Sequence, residues 1–144
     1  MKWFARWEIF ALGSAFFAAL TALLGKMGVA SVNSNVATFI RTAVTLILTA
    51  LILSCRHQWQ RPQSVTTKTW IFLAASGIAT GLSWLCYYRA LQLGPVSKVA
   101  SLDKLSVALA ILFGILFLGE KLTWPVAFGC GLITVGAILI ATAG

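Results

Sequence analysis

Apolar residues along this chain gather into five long runs, parted by short polar stretches. The runs cover about residues 8–28, 36–53, 69–92, 95–118 and 124–141. A helix needs roughly 20 residues to cross a hydrocarbon core about 30 Å thick, and each run comes close to that length or exceeds it. The pattern predicts an all-α integral membrane protein with five transmembrane helices.

The residues between the runs fit that division. Asn33 or Ser34 is placed to cap the second helix by accepting a backbone N–H. Pro62 rules out a continuous helix through the long polar loop Ser54–Lys68. Pro95 opens the fourth run, where a missing backbone N–H does no harm. Gly119 closes that run, and Glu120 and Lys121 return the chain to water. The N-terminal segment imitates a signal peptide, with Lys2 and Arg6 ahead of an apolar core. Its apolar run continues to about Leu24 with no cleavage site before a polar region, which fits a retained first span. Trp3 and Trp7 suit the headgroup level, and Lys26 is placed to snorkel outward at the far end.

Small residues mark faces where helices approach closely in lipid. Ala15, Ala18, Ala19 and Ala22 form one such stripe, Gly77 and Gly81 a second, and Gly129, Gly131 and Gly136 a third. Ser76, Thr80, Ser83 and Thr134 have their own helix carbonyls as available partners.

Composition narrows the class. The chain has 144 residues, 60% hydrophobic and 10% charged, with a mean hydropathy of +0.94. The net charge of +8, from 11 Lys and Arg against 3 Asp and Glu, would suggest nucleic acid in a soluble protein. No basic run interleaves with exposed aromatics here, so a nucleic-acid partner is not expected. The charges lie mostly in loops, where they set topology. Cys55, Cys86 and Cys130 match no metal spacing, and Cys86 and Cys130 read as small core residues. His57, the single histidine, has no ligand-spaced neighbour and reads as solvated. No nucleophile–base pair or metal set is visible, so neither an enzyme nor a cofactor is expected.

Lys and Arg divide unequally between the two sides. Lys2, Arg6, Arg56, Arg61, Lys68 and Lys121 fall on one side; Lys26, Arg89 and Lys98 fall on the other. The basic side is the cytoplasmic one, which puts the N-terminus inside and the C-terminus outside.

Some charges lie within the spans, where they are costly and usually face a partner, cavity or substrate. Arg41 is seven residues past Ser34; Asp103 and Lys104 are eight and nine past Pro95. At 1.5 Å per residue these three share a depth of about 10–14 Å. Arg89 and Lys98 lie nearer the outer surface, so the five charges are expected to line an outward-facing vestibule. On a continuous fourth helix, Ser97, Ser101, Lys104 and Ala108 share one stripe, and Asp103 points about 100° away. Lys104 is then the pore-facing cation. Asp103 faces a neighbouring helix, with Arg41 or Arg89 as partner. Trp84, Tyr87 and Tyr88 near Arg89 read either as an interfacial belt or as the wall of a binding site.

The stretch YYRALQLGPVSKVASLDKLSVALAILFGILFLGE, continued by KLTWPVAFGCGLITVGAILI, resembles the EamA-type domain of the drug/metabolite transporter superfamily. In such domains a helix ends in LGE, followed by a short loop and a Gly-rich last helix. The resemblance implies a small-molecule carrier and is nearest to a short, single-domain, five-helix bacterial subgroup. Most members carry two such domains, the second inverted, with substrate between them. With one domain here, a complete site would need another copy or a partner subunit. Asp103 and Lys104 also depart from the uncharged residues that many two-domain members have there, so substrate does not transfer.

These readings converge on a dimeric secondary transporter in the bacterial inner membrane, surrounded by lipid. Its substrate would be a small, polar, anionic metabolite, moved by alternating access. Lys104 contacts the anion and Asp103 organises it, with Arg41, Arg89, Lys98, Ser97, Ser101, Trp84 and Tyr88 completing the substrate-binding set. Deprotonation of a buried Lys104 would instead suit proton coupling. The alternatives are a non-transporting accessory membrane subunit and a flippase for a phosphate-bearing lipid head group.

Overall fold

The computed structural model of the protein describes residues 6–60 and 64–143, and for Arg6 the backbone alone. Lys2, Trp3, Arg61 and Pro62, all used in the sequence reading, lie outside the described residues. The described residues form six helices and no strands. These are α1 (Arg6–Gly28), α2 (Ser34–Cys55), α3 (Thr67–Leu93), α4 (Val96–Asp103), α5 (Leu105–Leu118) and α6 (Trp124–Thr142). Five segments are long and apolar enough to span a membrane, with α4 and α5 together making the segment Val96–Leu118. The chain divides into two compact units, Met27–Gln92 and Met1–Lys26 with Leu93–Gly144.

The Met27–Gln92 unit holds α2 and nearly all of α3. Asn33 caps α2, its side chain accepting from the Asn35 N–H at 2.8 Å. Along α2, Thr38, Thr42, Thr45 and Thr49 each donate to the carbonyl four residues back, at 2.8–2.9 Å. Such back-bonding lets hydroxyls enter lipid without orphaned donors. The helix ends on His57, whose φ of 50° is left-handed. There the His57 N–H donates to Ser54 O (3.2 Å) and the Gln58 N–H to Leu53 O (3.0 Å), the paired closure of a Schellman end. The lone histidine thus has a backbone role in ending the helix. At the start of α3, the Thr66 hydroxyl takes the Thr69 N–H, at 3.3 Å.

At the other end of α3, the Gln92 amide donates to Val29 O (3.1 Å) and Val32 O (2.7 Å), pinning the connection that leads into α2. Val29 and Leu91 are the largest fully buried side chains. Gly77 and Gly81 present an open face: an added Cβ at either would meet nothing within 4 Å.

In the other unit, α6 packs against both α4 and α5. Lys26, at the far end of α1, donates from Nζ to Gly94 O at 2.8 Å. Hydrogen-bonding a carbonyl at the turn satisfies the ammonium where lipid would not. Among the described residues, Glu8 Oε2, in the first turn of α1, is enclosed without a hydrogen-bond partner.

The α5 terminus explains the LGE sequence. Gly119 takes a left-handed φ of 69°, and the Glu120 N–H donates to Gly114 O at 3.1 Å. The Glu120 carboxylate then lies over Gly114, where an added Cβ would come within 2.6 Å of Oε2. After that turn, α6 starts with Pro125 in its first turn, where proline's fixed φ suits the helix. The Thr134 hydroxyl donates to Cys130 O at 2.9 Å, as its apolar setting requires. The thiols depart from expectation: Cys86 is exposed and Cys130 only half-buried. Most apolar side chains of a spanning helix face lipid or other helices, so an apolar run does not imply a core position.

Candidate functional site

The expected fourth span is not one continuous helix. It stops at Asp103 and resumes at Leu105, with Lys104 between at φ −69°, ψ −11°. Two tight bonds replace the regular ladder there: Lys104 N–H donates to Ser101 O and Val107 N–H to Lys104 O, both at 3.0 Å. Each spans three residues, the 3₁₀ spacing, which within a helix often marks a hinge or strain. Asp103 is a weak residue for a helix interior because its side chain competes for backbone partners.

The Lys104 Nζ lies 3.8 Å from Asp103 Oδ2, with 55% and 42% of the two side chains exposed. The adjacent charges form an ion pair. The Ser101 hydroxyl donates to Ser97 O at 2.7 Å. Ser97 is exposed and Lys98 half-buried. In carriers, broken spans commonly supply the ligand-facing backbone and charges.

The Met27–Gln92 unit holds the other candidates. The Arg41 guanidinium carbon stands 3.5 Å from the centre of the Trp84 ring and 5.6 Å from that of Tyr88. Tyr88 is 5% exposed, the most enclosed aromatic among the candidates, and it meets Tyr87 edge-on at 6.5 Å. Arg89 donates from Nη1 to Gln92 Oε1 at 3.1 Å. It thereby steadies the amide that pins Val29 and Val32. Arg89 also borders a polar hollow of about 540 Å³ with Asn33, Ser34, Asn35, Leu85 and Cys86.

Asp103 therefore has its recorded ion pair with Lys104, while Arg41 is stacked on Trp84. Within the Met27–Gln92 unit the structure brings together Arg41, Trp84 and Tyr88; within the other it brings together Ser97, Ser101, Asp103 and Lys104. The sequence reading passed over Gln92 and the α2 threonines. Thr38, Thr42, Thr45 and Thr49 recur at helical spacing, a signal legible beforehand that places them on the Arg41 face. Gln92 carried no such signal, because its role depends on which carbonyls the fold brings to it.

Both candidate groups offer cations to a ligand. The Met27–Gln92 sequence contains no Asp or Glu at all, so it has no internal carboxylate for Arg41 or Arg89.

A sequence profile described as the EamA-like transporter family matches residues 5–142. A protein of Sinorhizobium sp named "Uncharacterized transporter in cobO 3'region" is 53% identical over 135 residues, covering 94% of this chain and 96% of that one. No solved structure matches the chain.

Proposed function

This chain belongs to the EamA-like transporter family, and on that premise we propose that it is a secondary carrier for a small anionic metabolite. The observation that carries the reading is the Asp103–Lys104 pair at a break within an otherwise apolar span. A cation at a helix interruption, held by a single carboxylate at 3.8 Å, retains donor capacity for a ligand. Asp103 orients the ammonium, and an incoming anion takes Lys104 as its contact. Alternating access would carry the anion across while the two ends of the broken span move separately. The site is in the inner membrane of a bacterium, and a second copy of the chain completes it.

A thermal-shift series on purified protein tests the substrate class. Small carboxylates and phosphates are expected to raise the unfolding temperature, because a ligand at 100 times its Kd adds about 2.7 kcal/mol to the folded state. Stabilisation by organic cations alone, by lipid alone or by nothing would reject an anion carrier. Flux of the stabilising anion into proteoliposomes then separates a carrier from an accessory subunit.

The orientation proposed is N-terminus inside and C-terminus outside, from the Lys/Arg asymmetry. With Cys55, Cys86 and Cys130 replaced by serine, a cysteine added at the C-terminus should react with an impermeant maleimide on intact cells. Reaction only after permeabilisation would reverse the topology.

A further inference from the structure

Arg41 lies seven residues into α2 from Ser34, about 10 Å along the helix axis. A permanent cation at that depth needs compensation. The Met27–Gln92 unit supplies no Asp or Glu. Among the described residues of that unit the Arg41 side chain has ring partners only. The indole of Trp84 lies 3.5 Å from the guanidinium carbon and the Tyr88 ring 5.6 Å from it. The neighbouring hydroxyls of Thr38, Thr42 and Thr45 donate to carbonyls of their own helix. A ring face attracts the charge but leaves the five guanidinium N–H donors unmatched.

A guanidinium carbon only 3.5 Å from the ring centre sets one face of the group against the indole, and among the described residues of the unit the N–H edge is left for an in-plane acceptor. We infer that Arg41, held flat on Trp84, is a two-pronged docking point for a carboxylate, which lies coplanar with the guanidinium beside the Trp84 and Tyr88 rings. Carboxylate geometry matches the fork through two parallel N–H···O bonds. A planar carboxylate can continue along an aromatic surface, whereas a tetrahedral phosphate turns one oxygen toward the ring. Lysine cannot replace the arginine here, since it is a point charge without the fork. The inference deepens the anion-carrier reading and rests on it for the expectation that a solute reaches Arg41.

The carboxylate has two possible sources, a dissolved organic acid or a fatty acid in the bilayer. Equilibrium binding of radiolabelled benzoate, palmitate and inorganic phosphate to the protein in zwitterionic nanodiscs separates them. Benzoate binding is the expected result, with R41K weakening it by about tenfold or more through loss of the bidentate geometry. W84L should weaken it comparably, and W84F should retain it because a ring remains. Palmitate binding with the same variant dependence would support the carboxylate fork with lipid as the source. Equal binding by R41K, phosphate binding without benzoate, or binding of neither carboxylate would overturn the inference. So would benzoate binding that appears only in D103N, since Asp103 would then already fill the fork.

Wild-type protein supplies a measurement independent of variant folding. Benzoate or palmitate should slow phenylglyoxal modification of Arg41, mapped by mass spectrometry, and unchanged modification in the presence of both acids would overturn the inference. Failure here with anion flux intact removes only the Arg41 assignment. Carboxylate binding at Arg41 without any flux removes the carrier reading and leaves the docking point.

Discussion

Lys104→Ala is expected to abolish anion flux while leaving a folded, inserted protein. Truncating one member of a ligand-contacting charge pair costs about 2–5 kcal/mol, or roughly 30-fold to several-thousand-fold in affinity. Folding should hardly respond. The Asp103–Lys104 pair spans 3.8 Å, too long for the short, strong contact of a charge-assisted hydrogen bond. Asp103→Ala removes the carboxylate 3.8 Å from Lys104 and should lower stability as well, since stranding a cation within a span costs on the order of 3–5 kcal/mol when the pair is buried. Counterflow of a stabilising anion in proteoliposomes, beside thermal unfolding of the same samples, separates the two effects. Wild-type flux in both variants would remove the helix break from the site.

Gly81→Leu, alone or with Gly77→Leu, is expected to dissociate the proposed dimer and silence transport. An added Cβ at either glycine meets nothing within 4 Å, so this face has room beside the chain's own packing. A large cost is expected where the face meets another copy. Overpacking a fitted contact costs about 1–3 kcal/mol, and a two-fold interface counts each substitution twice. Subunit exchange between differently labelled copies in nanodiscs should rise accordingly, with flux falling in step. A variant that stays dimeric and active would exclude this face from the interface. The one-sided Lys/Arg distribution favours parallel copies. Efficient cross-links between the N-terminus of one copy and the C-terminus of another would show them inverted instead.

The membrane spans were legible because hydropathy is a local property. Three of the five apolar runs are bounded by residues whose backbone chemistry starts or ends a helix: Asn33 as cap, Pro95 and Pro125 at helix starts, Gly119 in its left-handed turn. The family was legible in the same way, from the contiguous stretch through LGE into the Gly-rich last helix. The charged residues were identifiable too, since a lysine or arginine within an apolar run stands out on cost alone.

Their partners were another matter. Helical projection treated the fourth span as unbroken, whereas a 3₁₀ turn at Lys104 interrupts it. Lys26 reaches Gly94, Gln92 reaches Val29 and Val32, and Arg41 reaches Trp84. Each pairing joins residues distant in sequence, and each depends on how helices are rotated and how their connections turn. Hydropathy does not encode that rotation when most of a helix is apolar all round. His57 shows the same division at a smaller scale: its isolation was visible in the sequence, but its left-handed backbone was set by the closure of α2 on Leu53 and Ser54. The sequence by itself thus determined which segments enter the membrane and which charges go with them, because transfer into lipid is priced residue by residue. Only the tertiary structure decided what those charges touch, because contact depends on helix rotation and on one local break.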